Sequence, residues 1–151
     1  MMGSSSSAFR DAVKYAHRKG AVVVWAAGNS NCRLSDRDFP EMVVVSGTDS
    51  DDDRYYSNET YGSCYGGSVD IAAPGEGVYV PLGSHRRTNG TSFSAPIVSG
   101  VIALMFSKKL NQTPAKVIEG VKASAKALGN SDYFGAGLVD AKTALDSVPT
   151  L

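Results

Sequence analysis

The strongest chemical signal in the chain is a serine set between a glycine-containing turn and a long apolar run: Asn89-Gly90-Thr91-Ser92-Phe93-Ser94-Ala95-Pro96-Ile97-Val98-Ser99-Gly100. Such a turn delivers Ser92 to the first turn of a helix. There, unpaired backbone N–H groups and the positive end of the helix dipole favour developing negative charge. Pro96 follows near the end of the zone in which a missing N–H costs little, and its ring can bend the helix. For an isolated Gly-Thr-Ser before an apolar run, helix capping is the ordinary reading. A second group shifts the balance. Asn29 stands on the turn directly after a β-branched run, the place where ligands bind in open α/β sheets. An amide donor and a serine at a helix N-terminus are the parts of an oxyanion hole and a nucleophile.

Both groups need elements to hold them, and the periodicity of the chain supplies candidates. Ala8, Phe9, Ala12, Val13 and Ala16 recur at helical spacing through Lys19, with Gly20 as the stop. The run Ala21 to Ala26 then reads as a strand covered on both faces, and Asn29 falls on the turn at its end. Residues 33–38 read as loop, and Met42 to Ser46 as a second buried strand. Asp49, Asp51, Asp52 and Asp53 read as a solvated loop, since a calcium loop would need a glycine and a terminal glutamate that are absent.

Short strands are expected at Val69 to Ala73 and Val78 to Leu82, with Pro74-Gly75-Glu76-Gly77 turning between them and a polar stretch over 83–90. Thr91 to Lys109 is predicted as a buried helix, because its apolar spine is too continuous for a surface one. Thr113-Pro114 opens a helix through about Ala125, and Asp140 caps a last helix through about Asp146. Gly135 to Val139 reads as a turn into an extended piece. Helices alternating with buried strands predict an α/β fold with a mostly parallel sheet flanked by helices.

At 151 residues the chain is sized for one domain. Its 15 Lys and Arg balance 15 Asp and Glu, so it lacks the electrostatic footprint of a nucleic-acid or anionic-membrane binder. The longest apolar run, Ala21 to Ala27, falls far short of the roughly 20 residues of a membrane-spanning helix. Neither nucleic acid nor membrane is expected as a partner. The opening Met1-Met2-Gly3 and the serines at 4–7 do not read as a secretory signal, and the cellular location stays open. The two cysteines, Cys32 and Cys64, form no CxxC and have no histidine at metal-ligand spacing. Free thiols are the default, with one disulfide left open because spacing does not give geometry.

At these motifs the chain resembles the C-terminal part of the catalytic domain of subtilisin-like serine proteases, the subtilases. The string GTSFSAPIVSG resembles that family's nucleophile motif, VVVWAAGN its oxyanion-asparagine segment, DIAAPGEGV the segment between them, and GAGLVDAKTAL its closing turn and helix. The four occur in family order over roughly Ala8 to Asp146. The resemblance implies a serine endopeptidase working through an acyl-enzyme on Ser92, with a polypeptide substrate. It implies Asn29 as the side-chain donor to the oxyanion, partnered by the Ser92 N–H, and Thr91 as support for the same hole. Ala26, Ala27 and Gly28 are implied as one wall of the substrate side-chain pocket. No cofactor enters that chemistry. A structural calcium is common in the family, but no dedicated ligand set stands out here.

In the subtilisin order Asp and His precede Ser along the chain, and neither motif occurs in the 28 residues before Asn29. His17, beside Arg18 and Lys19, reads as a surface residue, and His85 lies in the basic run His85-Arg86-Arg87, where the family supplies no base. A serine hydroxyl without a base stays protonated and weakly nucleophilic. The expectation is therefore residues 1–151 as the C-terminal half of a subtilase domain, a fragment or truncated product inactive by itself, with the missing N-terminal half as a partner. Apolar faces of Ala21–Ala26 and Met42–Ser46 should then be uncovered. The alternative is a non-catalytic binding or assembly module, a degenerate half that pairs with another chain. A nucleotide-binding reading of Gly135-x-Gly137 fails because Asp140 stands where the third glycine belongs. The sequons at Asn58, Asn89 and Asn111 need no explanation beyond chance.

Overall fold

The computed structural model describes residues 6–35, 39–82 and 84–149. The serine run at 4–7, the loop at 33–38 and the stretch at 83–90 lie partly outside the described residues, and Met1 to Gly3 wholly so. In chain order the elements are α1 (Ser7–Arg18), β1 (Val23–Ala26), β2 (Met42–Thr48), β3 (Tyr56–Asn58), β4 (Tyr61–Gly62), β5 (Ile71–Pro74), β6 (Val78–Leu82), β7 (Ser84–Thr88), α2 (Thr91–Lys108), α3 (Pro114–Ala123), α4 (Ser131–Phe134) and α5 (Ala141–Ser147). Strands β1, β2 and β5 form a parallel sheet in the order β1-β2-β5, with Val23 opposite Met42 and Val45 opposite Ile71. Two antiparallel pairs, β3-β4 and β6-β7, stand apart from it.

Side-chain alternation along β2 divides the core. Val43 and Val45 join Ile71 and Ala73 against Val98, Val101, Ile102 and Met105 of α2, with α3 and α5 behind. Met42 and Val44 point the other way, toward Val13 of α1, Ala27, Cys64 and Val69. The predicted caps are in place: Thr113 accepts the Lys116 N–H at 3.4 Å, and Asp140 accepts the Thr143 N–H at 2.9 Å.

Three expectations change. All four residues of β1 are half-buried rather than covered on both faces, since among the described residues β1 is an end strand that pairs only with β2. Conversely β2, expected to expose apolar surface, is buried over its whole length between its two neighbours. Helix α2 buries one face only. Leu104 is 49% exposed, and the helix lies along the sheet rather than through the middle of the molecule. By length and composition α2 is also apolar enough to span a bilayer, although polar residues punctuate its apolar run. Its buried residues pack on the sheet, as in a core helix.

Strands β3, β4 and β7 and the short helix α4 have no counterpart in the sequence reading. In β7, the sequence Ser84-His85-Arg86-Arg87-Thr88 is polar throughout and shows no apolar alternation. Backbone pairing with β6 makes it a strand.

Candidate active site

The carboxyl ends of β1 and β5 converge on the N-terminus of α2, and the residues singled out in sequence meet there. Thr91, the first residue of α2, is fully buried. Its N–H donates to Asn29 Oδ1 at 2.8 Å and its hydroxyl donates to the same oxygen at 3.0 Å. The hydroxyl oxygen in turn accepts the Gly28 N–H at 3.1 Å. This chain of donors fixes the amide of Asn29. With two donors aimed at Oδ1, that oxygen is the acceptor arm of the amide and Nδ2 is its donor arm. Ser92 follows Thr91 in the first turn of α2 and is exposed.

Glycine is required where the turn meets that amide. Gly90 has φ +145°, and a Cβ there would stand 3.2 Å from Asn29 Nδ2. The seat of the helix is equally close. The Gly90 N–H donates to the Gly75 carbonyl at 2.6 Å, and Ser94 donates to the Pro74 carbonyl at 3.1 Å. A Cβ on Gly75 would come within 2.6 Å of Ser94 Oγ. Asn89 pins the approach, accepting the Gly77 N–H at 2.8 Å while its carbonyl accepts the Tyr61 hydroxyl at 3.3 Å. Sequence reasoning took Pro74 to Gly77 only as a turn. The signal for its role was a glycine at each side of the approach, at 75 and at 90.

Of the pocket-wall candidates, Ala26 and Gly28 are half-buried, whereas Ala27 is 2% exposed and belongs to the α1-side core. His17 departs from the surface reading, because its Nε2 is buried with no hydrogen-bond partner among the described residues. The backbone of His85 lies in β7 opposite Pro81. Near the site, burial pushes the Tyr55 phenol up.

No group of three or more His, Cys, Asp or Glu among the described residues could hold a metal ion. Asp70, the most enclosed of the ion-paired carboxylates, already takes Lys122 Nζ at 2.7 Å and the Val44 N–H at 2.8 Å.

Relatives share this arrangement of segments. Over 149 residues the chain is 33% identical to subtilisin DY of Bacillus licheniformis, a match that covers 93% of this chain and 53% of that protein. It is 36% identical over 150 residues to alkaline elastase YaB of Bacillus sp. (strain YaB), covering 95% of this chain and 38% of that one. The chain thus spans about half or less of the length of the curated relatives it matches. Among solved structures, a protease of Pseudoalteromonas arctica PAMC 21717 superposes with a TM-score of 0.81 at 28% identity, over 95% of this chain and 48% of that one. MycP1 from Mycobacterium smegmatis superposes with a TM-score of 0.73 at 28% identity, over 89% and 44%. The subtilase family model matches residues 2–137, which hold the whole parallel sheet and helices α1 to α4, and the chain belongs to that family.

Proposed function

We propose that this chain is the nucleophile-bearing half of a serine endopeptidase. The observation that carries the reading is the double acceptance by Asn29 Oδ1 from Thr91, the residue next to Ser92, which leaves Nδ2 as the arm of the amide that can donate to a bound oxyanion. In that reading Ser92 Oγ attacks the scissile carbonyl and the carbonyl oxygen becomes an oxyanion. Asn29 Nδ2 and the Ser92 N–H receive it, with the positive end of α2 adding to the field. Collapse expels the amine and leaves an acyl group on Ser92, which water removes. Thr91 is a positioning residue, and the half-buried Ala26 and Gly28 flank the substrate side chain, with Ala27 behind them in the core.

The proton of Ser92 needs a base that no motif in this chain provides. We therefore place the general base and its orienting carboxylate on a polypeptide segment corresponding to the N-terminal half of the domain. The outer edge of β1, half-buried and paired only on its β2 side, supports the addition of a further parallel strand there. Residues 1–151 are then one half of a catalytic domain, inactive alone.

The test is labelling of Ser92 by a fluorophosphonate, with chromogenic peptide hydrolysis as the second readout. The isolated chain should do neither at rates typical of an intact triad. Addition of a polypeptide bearing the subtilase Asp and His motifs should restore both, and Ser92→Ala should remove both. In the restored assembly Asn29→Ala should lower kcat about 10²–10³-fold, a magnitude carried over from the same substitution site in a subtilisin. A stable, folded chain that stays unlabelled under all these mixtures would overturn the reading in favour of a binding module.

A further inference from the structure

Cys32 and Cys64 are far apart in sequence, yet their Sγ atoms stand 2.6 Å from each other. Two unbonded sulfur atoms do not rest so close, and a disulfide needs a separation of about 2.05 Å. The backbone has already done the positioning. Asn31 N–H donates to the Gly62 carbonyl at 2.9 Å, and Gly62 N–H to that of Asn29 at 3.1 Å. Cys64 N–H donates to the Gly28 carbonyl at 2.8 Å, and Tyr65 N–H to that of Cys32 at 3.0 Å. This ladder lays residues 28–34 along 62–65, so pairing the thiols demands no rearrangement of the chain. Cys64 is buried and lies against Gly28, where an added Cβ would be 3.3 Å from its sulfur. Cys32 is exposed and open to reagents from solvent.

We propose that Cys32 and Cys64 are a disulfide pair, closed by exchange with a low-molecular-weight disulfide, that clamps the loop carrying Gly28 and Asn29 onto residues 62–65. The Cys32 thiolate attacks the external disulfide, forms a mixed disulfide and expels one thiolate. The Cys64 thiolate then attacks the Cys32 sulfur, forms the internal bond and expels the second. The two cysteines lose two electrons and two protons together, and the external disulfide leaves as two thiols. Partial desolvation of the otherwise exposed Cys32, and then the neighbouring Cys64, push its thiol up, and closure speeds as rising pH forms the thiolate.

The 151-residue chain is equilibrated with oxidised or with reduced glutathione, alkylated, and mapped by mass spectrometry alongside amide hydrogen exchange. Under the oxidised form both thiols should disappear together into one intramolecular 32–64 cross-link. Exchange at Asn31, Gly62 and Cys64 should then slow about tenfold relative to the reduced protein, with the amides of α3 unchanged. Cys32→Ser should abolish the effect of the oxidant on exchange. Thiols that both alkylate in the oxidised, folded chain, glutathione arrested on Cys32, or a cross-link between two copies would overturn the pairing. Equal exchange in the two redox states would overturn the clamp. No readout involves Ser92, so the catalytic reading stands or falls separately.

Discussion

On one face of the parallel sheet, Val43, Val45, Ile71 and Ala73 meet four buried residues of α2, and Val117, Ile118 and Val121 of α3 with Ala144 of α5 close the layer behind them. On the other face, Met42 and Val44 meet a single helix, α1, in which only Val13 is buried. Phe9 and Trp25, stacked edge to face at 4.8 Å, stay partly covered. The first face is a finished core and the second is one amphipathic helix deep. The difference matters for function because the candidate site sits on the seam. Ser92 and Thr91 ride on α2 and inherit the rigidity of the deep face. Asn29 leaves the end of β1, the half-buried strand, and is held by what reaches it from α2 and from residues 62–65.

Truncation on each face is the most direct way to break this contrast. Met105 is 1% exposed, and Met105→Ala should cost about 2–5 kcal/mol, the range for a buried large-to-small change that leaves a cavity. Phe9→Ala removes a larger side chain but should cost only about 1–2 kcal/mol, because its surroundings are half open and α1 can settle. Denaturant unfolding of the two variants measures both. Equal losses would mean that the α1 face carries as much of the fold as the α2 face.

A smaller effect sharpens the role of the seam. Thr91→Val keeps the shape of the side chain but leaves the Gly28 N–H without its acceptor and Asn29 Oδ1 with one donor instead of two. The expected loss is about 1–3 kcal/mol, the cost of leaving an enclosed polar group unpaired. Thr91→Ser retains the hydroxyl and should recover most of it. If the valine and serine variants unfold at the same denaturant concentration, the hydroxyl bridge does not hold the two segments together.

The motif at Ser92 and the turn at Asn29 were legible because both are local: a turn residue type followed by a periodic run. So were α1, α3 and α5, whose stops and caps at Gly20, Thr113 and Asp140 are written in single residues. The coupling between the two site segments was not legible. The Thr91 hydroxyl reads as an ordinary capping group until Gly28 and Asn29 are brought beside it from the other end of the chain. The same holds for Gly75, whose need for a bare Cα comes from Ser94, and for Gly137, where a Cβ would lie 2.1 Å from the Lys126 carbonyl. Burial of β2 was misjudged for a related reason. An apolar run marks a core-forming strand, but how far it is covered is set by topology, as half-buried β1 and fully buried β2 show.

The smallest effect concerns α5, which backs the deep face through Ala144. Its cap, Asp140, has its carboxyl held below the ordinary range by the Thr143 N–H and then by the Thr143 hydroxyl. A carboxylate with a lowered folded pKa adds stability that is fully present above its unfolded pKa of about 4 and is lost as the pH falls through the folded value. Asp140→Asn keeps a capping oxygen but cannot ionise. At neutral pH the native chain should therefore melt slightly above the variant, by the favourable charge at the helix N-terminus. The gap should close as the pH falls below about 4 through the lowered pKa, where both side chains are neutral. Lys142 and Asp146 are shifted first by each other and only last by the Asp140 charge, so the difference reads chiefly Asp140. A gap in melting temperature that persists unchanged into acid would assign the cap to shape alone and remove charge from the account of how α5 is fastened to the deep face.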